Sequence, residues 1–138
     1  MRKLPLIVFI LSAGLFLFLP RVHAATLQLS PAGGSSILGS VFDVNVVLNT
    51  GGISANTIEV ELEFPPDKIQ IANPSLGKSI VQIWASPPIF SNREGRIYFV
   101  GGIPTPGINT SAGIVQSFTF RVVAPGEAKI SFGKNTSV

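Results

Sequence analysis

Residues 56–71 read N-T-I-E-V-E-L-E-F-P-P-D-K-I-Q-I, and the alternation in this stretch decides the fold class. Ile58, Val60, Leu62 and Phe64 alternate with Thr57, Glu59, Glu61 and Glu63. Successive side chains of a strand point to opposite faces, so one face here is apolar and the other anionic. Helical spacing would scatter the glutamates around a cylinder, and the β-branched Thr57, Ile58 and Val60 suit a pleated surface. Pro65 and Pro66 donate no backbone hydrogen bond and end the ladder, after which Ile69 and Ile71 resume on one face. A strand this one-sided needs a second apolar sheet laid against it.

The rest of the chain supplies that sheet. Residues 26–30 alternate around Leu27 and Leu29, and 41–49 turn Phe42, Val44, Val46 and Leu48 inward. In 96–100, Ile97 and Phe99 face the core and Arg96, Tyr98 and Val100 face out. Residues 114–123 form the longest expected strand, with Phe118, Phe120 and Val122 inward and Ser117, Thr119 and Arg121 outward. Ile130 and Phe132 alternate again in 128–132. Residues 79–85, which carry Trp84, read as a shorter strand interrupted by Ser86-Pro87-Pro88, with 89–91 as a brief edge strand. N-R-E-G at 92–95 is a hairpin turn, 73–78 another turn, and 101–113 a long loop rich in Gly, Pro, Asn, Thr and Ser. Eight or nine short strands without a helical pattern predict an all-β, two-sheet sandwich.

Before the first strand lies an export address. Arg2 and Lys3 open it, residues 4–19 are apolar, and Val22-His23-Ala24 fits cleavage after Ala24. The apolar run is broken by Pro5, Ser12 and Gly14 and falls short of the roughly 20 residues that a spanning helix prefers. The expectation is a signal peptide over 1–24 and one domain over 25–138, secreted or at the cell surface. A membrane would be met only through that segment or through an anchor outside this chain.

Loss of the leader removes Arg2, Lys3 and Arg21, which carry the whole formal charge of +3. No basic stripe of the kind that nucleic acid requires is left, so nucleic acid is not an expected partner. The chain has no cysteine, and its single histidine, His23, goes with the leader. Thiolate zinc sites, cysteine nucleophiles and Ser-His-Asp chemistry are therefore excluded from the domain. The acids are scattered over several strands and turns with no calcium loop, so neither cofactor nor metal is expected. Glu59, Glu61 and Glu63 stand about 7 Å apart along one face. With no histidine or inward-facing acid beside them they read as a solvated sheet face, and no enzyme is expected.

Four stretches carry a resemblance to a known family. Residues 39–48 (G-S-V-F-D-V-N-V-V-L), 64–71 (F-P-P-D-K-I-Q-I), 92–99 (N-R-E-G-R-I-Y-F) and 113–132 (G-I-V-Q-S-F-T-F-R-V-V-A-P-G-E-A-K-I-S-F) resemble the cohesin domain in order and spacing. The resemblance implies a nine-stranded jelly-roll sandwich, related in fold to some carbohydrate-binding modules, that docks dockerin modules of scaffold assemblies. Phe64-Pro65-Pro66 stands where the family commonly has tyrosine-aspartate-proline. The family pattern continues past 128–132 into a final strand, so the domain is expected to be truncated at its C-terminal end.

The resemblance also implies a docking face on the strands matching 57–64, 96–100 and 114–123. Its outward residues here are Thr57, Glu59, Glu61, Arg96, Tyr98, Ser117, Thr119 and Arg121. The alternative ligand is a polysaccharide stacked on aromatic rings, for which Trp84, Tyr98 and Phe90 are the contributors.

Overall fold

The computed structural model describes residues 24–73 and 79–138. Apart from Ala24 the expected leader lies outside the described residues, as does most of the turn expected at 73–78. The strands are β1 (Thr26–Ser30), β2 (Val41–Asn49), β3 (Thr57–Glu63), β4 (Ile69–Asn73), β5 (Ile83–Ser91), β6 (Arg96–Gly102), β7 (Gly113–Val122) and β8 (Ser131–Phe132). They form two four-stranded antiparallel sheets, ordered β1-β2-β7-β4 and β5-β6-β3-β8, and no described residue is helical.

The alternation read from the sequence is the core. Val46, Leu48, Ile58, Val60, Leu62, Ile97, Phe99, Val115, Phe118 and Phe120 are each 0% exposed. Phe99 packs on Phe118 across the gap between sheets, with ring centroids 6.1 Å apart, and Phe120 takes Phe42 face to face at 5.7 Å and Phe64 edge-on at 5.3 Å. Burying one such side chain is worth about 1.5–3 kcal/mol, so this layer supplies the main driving force of folding.

Proline produces the first departure from the sequence reading. Ser86-Pro87-Pro88 does not interrupt a strand, because β5 runs through them as one element. It is an edge strand paired only with β6, where an absent N–H on the open side costs nothing. Register shifts between Trp84 and Ser86 and between Ser86 and Ile89 absorb the remaining mismatch.

The strand count differs too. Eight strands are seen among the described residues where about nine were expected, and the strand expected over 128–132 is reduced to Ser131–Phe132. The chain nevertheless continues along β3. The Gly133 N–H donates to the Glu61 carbonyl at 2.8 Å, and Glu59 and Ser137 exchange both backbone bonds at 2.9 Å. The loop expected from 101 begins after Gly102 and is pinned midway by paired backbone bonds between Ala55 and Ile108.

The hairpin between β5 and β6 closes on Gly95, with φ of +69° and its N–H on the Ser91 carbonyl at 2.8 Å. A Cβ there would lie 2.1 Å from the Phe64 carbonyl oxygen, so only glycine fits. That close approach lets the Phe64 N–H reach the Gly95 carbonyl at 2.8 Å and ties the end of β3 to the turn.

Candidate functional site

Register assigns each outward residue to a row on the β5-β6-β3-β8 sheet. Ile83, Gly102 and Thr57 form one row, Ser86, Val100 and Glu59 the next, then Ile89, Tyr98 and Glu61, and finally Ser91, Arg96 and Glu63. The acids lie on β3, the exposed isoleucines on β5, and β6 separates them by the spacing of one strand on each side, about 4.8 Å.

Diagonal neighbours on this face are bonded. The Tyr98 hydroxyl donates to Glu59 Oε1 at 2.8 Å, which ties the phenol to β3. This hydrogen bond is the largest cause of a Tyr98 pKa raised above its ordinary value, followed by loss of water and by the charges of Glu59 and Glu61. Arg96 reaches Glu61 at 3.9 Å and Glu63 at 3.8 Å with its guanidinium largely exposed, an arrangement that orients charge more than it stabilises the fold.

Glu61 is not part of a solvated face. It is only 8% exposed, covered by the segment after β8. The Asn135 N–H donates to its Oε2 at 3.3 Å. Thr136 Oγ1 accepts from its N–H at 3.1 Å and donates to its carbonyl at 3.0 Å. A Cβ on Gly133 would lie 2.6 Å from Glu61 Cγ, so the carboxylate stem rests on a glycine. Strand alternation places Glu61 outward correctly, but Thr136, which covers it, comes 75 residues later and leaves no local signature.

The eight residues expected on one docking face divide between two. Thr57, Glu59, Glu61, Arg96 and Tyr98 belong to the β5-β6-β3-β8 sheet, whereas Ser117, Thr119 and Arg121 lie on β7 in the other sheet. Outward positions of the two sheets of a sandwich point in opposite directions, so the two groups share no surface. On the β7 side, the Thr119 hydroxyl donates to Asp43 Oδ1 and the Ser117 hydroxyl to Asn45 Oδ1, leaving Arg121 exposed opposite Gln70 and Val41.

The three aromatic residues expected to stack on sugar do not converge either. Trp84 meets Phe99 edge-on with centroids 5.8 Å apart and packs against the core. Phe90 is opposite the inward Ile97 and is exposed only because β5 is an edge, while Tyr98 is on the outer face. Conversely, Ile83 and Ile89, 57% and 61% exposed, escape a reading of the sequence. The two register shifts between them cancel in facing and return both to the outer face, and the Ser86-Pro87-Pro88 stretch in between hides that they belong to one strand. Among the described residues no group of three or more acids, histidines or cysteines is placed to hold a metal ion.

No family model matches the chain, and no curated protein matches it in sequence. Solved structures do match in fold. CaCohA2 from Clostridium acetobutylicum superposes with a TM-score of 0.64 at 14% identity, over 83% of this chain and 77% of its own. A type I cohesin–dockerin complex of OlpA from Clostridium thermocellum gives 0.62 at 13%, over 83% and 84%. The sixth cohesin of scaffoldin B from Acetivibrio cellulolyticus, solved with a Cel5 dockerin, gives 0.60 at 18%, over 80% and 82%. The sandwich is cohesin-like.

Proposed function

We propose that this chain is a non-catalytic docking module of an exported or cell-surface protein, and that it receives a dockerin-type protein partner on the outer face of the β5-β6-β3-β8 sheet. The observation that carries the reading is the make-up of that face. Ile83 and Ile89 stand exposed beside Val100 and Tyr98, with Glu59, Glu63 and Arg96 along one side. An apolar centre with a charged margin is the composition of a protein interface, in which a few buried anchors carry most of the energy. The centre of the opposite sheet face is polar instead, with the Ser117 hydroxyl bonded to Asn45 and the Thr119 hydroxyl to Asp43.

The fold supports the same reading, because similar solved structures are cohesins in complex with dockerins. Export rests on the charged start, the short apolar run and the small-residue end of 1–24. Calorimetry against a panel of isolated dockerin modules tests the function. Binding by at least one module is expected, with Ile89→Asp abolishing it and Thr119→Asp on the other sheet leaving it intact. Binding lost through Thr119→Asp and untouched by Ile89→Asp, or no binding across the panel, overturns the reading.

A further inference from the structure

The last described element crosses from one sheet to the other. β7 ends at Val122 beside β2 and β4, and β8 joins β3 in the opposite sheet. The Val123 and Ala124 N–H groups still bond to the Lys68 carbonyl, at 2.8 and 3.2 Å. Residues 125–129 are all exposed and, among the described residues, make no hydrogen bond or ion pair. The segment from Ser131 to Ser137, by contrast, is held firmly and by one element. Ser131 and Phe132 pair with Glu63 and Leu62, and the bonds from Gly133, Asn135, Thr136 and Ser137 that leave the segment all end on Glu59 or Glu61. Ile130 and Phe132 add their side chains to the core.

A segment fixed by contacts to β3 and tethered by an unbonded connection has the anatomy of an exchangeable strand. None of its contacts needs the covalent link, so β3 and the core of a second copy together offer every one of them unchanged. Residues 124–129 fully extended span about 20 Å, against the roughly 10 Å between packed sheets that they cross within one copy, so the connection holds slack that exchange can draw on. Without the segment, β3 would be an open edge with the backbone groups of Glu59, Glu61 and Glu63 unpaired, which is itself a template for a strand from another chain.

We infer that residues 131–137 exchange between copies of this chain, giving a dimer in which each copy's C-terminal segment lies along the other's β3. The absence of cysteine makes the test clean. Glu63 and Ser131 are direct partners across β3 and β8. Glu63→Cys and Ser131→Cys, carried on separate chains, are unfolded together, refolded and oxidised. The expected product is a disulfide-linked heterodimer in excess over either homodimer. Well below the dissociation constant its fraction rises about tenfold for a tenfold rise in protein concentration during refolding. The double variant, refolded dilute, should close its disulfide within one chain. Heterodimer no more abundant than homodimer overturns the proposal. Light scattering of the unsubstituted chain gives an independent reading. A dimer that forms on concentrated refolding and persists after dilution supports exchange, and a monomer at every concentration refutes it.

Discussion

The hydroxyl of Tyr98 and the carboxylate of Glu59 meet at 2.8 Å across neighbouring strands, with the phenol as donor. The ionised phenolate has no proton to give and would face Glu59 and Glu61, so the folded chain holds this proton more tightly than the unfolded one. The pair's contribution to stability is full below the unfolded value of about 10 and is lost as pH rises through the higher folded-state value. The chain has a single tyrosine, so its phenolate absorbance reports Tyr98 alone. Glu59→Ala should bring the midpoint down towards that of a free tyrosine, and an unchanged midpoint would show that the hydrogen bond does not set it.

Gly95 is the second test. Its φ of +69° and the 2.1 Å approach of a Cβ to the Phe64 carbonyl forbid a side chain. Gly95→Ala should destabilise the fold by about 1–3 kcal/mol or more, since a strained backbone and a displaced strand end add. At Gly34 a Cβ meets nothing within 4 Å, and Gly34→Ala should stay within about 0.5 kcal/mol. Equal urea midpoints for the two variants would contradict the turn geometry.

The core is tested by contrast on a single scale. Leu62 is 0% exposed and Leu38 is 63% exposed. Truncation of Leu62 to alanine should cost about 2–5 kcal/mol and that of Leu38 less than about 0.5, because only the first leaves a cavity. Thermal unfolding of both variants decides it.

Thr136 is expected to matter beyond its exposed neighbourhood. Its hydroxyl completes both backbone groups of Glu61, in the middle of a strand edge. Thr136→Val keeps the shape and removes the partner, so the cost should be about 1–3 kcal/mol, the penalty of a backbone group left unsatisfied. Thr136→Ser should recover most of it. A valine variant as stable as the parent would mean that water replaces the hydroxyl.

Export is checked by N-terminal sequencing of the secreted protein, which should begin at Ala25. An intact chain from Met1 recovered in the membrane fraction would overturn cleavage.

The two-sheet class and most strand positions were legible because alternation is a local signal. The strand expected over 41–49 has those bounds in the fold, and the inward residues Ile97, Phe99, Phe118 and Phe120 are all buried. The site was less legible, for reasons that are not local. Which sheet a strand joins is decided by pairing across the chain, so the outward residues of β7 looked equivalent to those of β3 and β6 until topology separated them. Glu61 resembled Glu59 in every local respect and differs only because residues 133–136 fold over it. The prolines of β5 hid Ile89, since a proline pair signals an end of pairing everywhere except at an edge.

Pro87 and Pro88 have a use in crowding. β5 is long, borders the sheet and carries Ile83, Ile89 and Phe90 in the open, a combination that invites one molecule to zip onto the next. Two consecutive residues without an N–H, set inside a register shift, leave a neighbouring strand no continuous run of donors to grip. The same apolar side chains therefore stay available to a partner that recognises side chains, while fibre-like growth through the backbone stalls at mid-strand. Replacing both prolines would preserve the surface chemistry and remove the guard, turning a sticky face into a seed for aggregation.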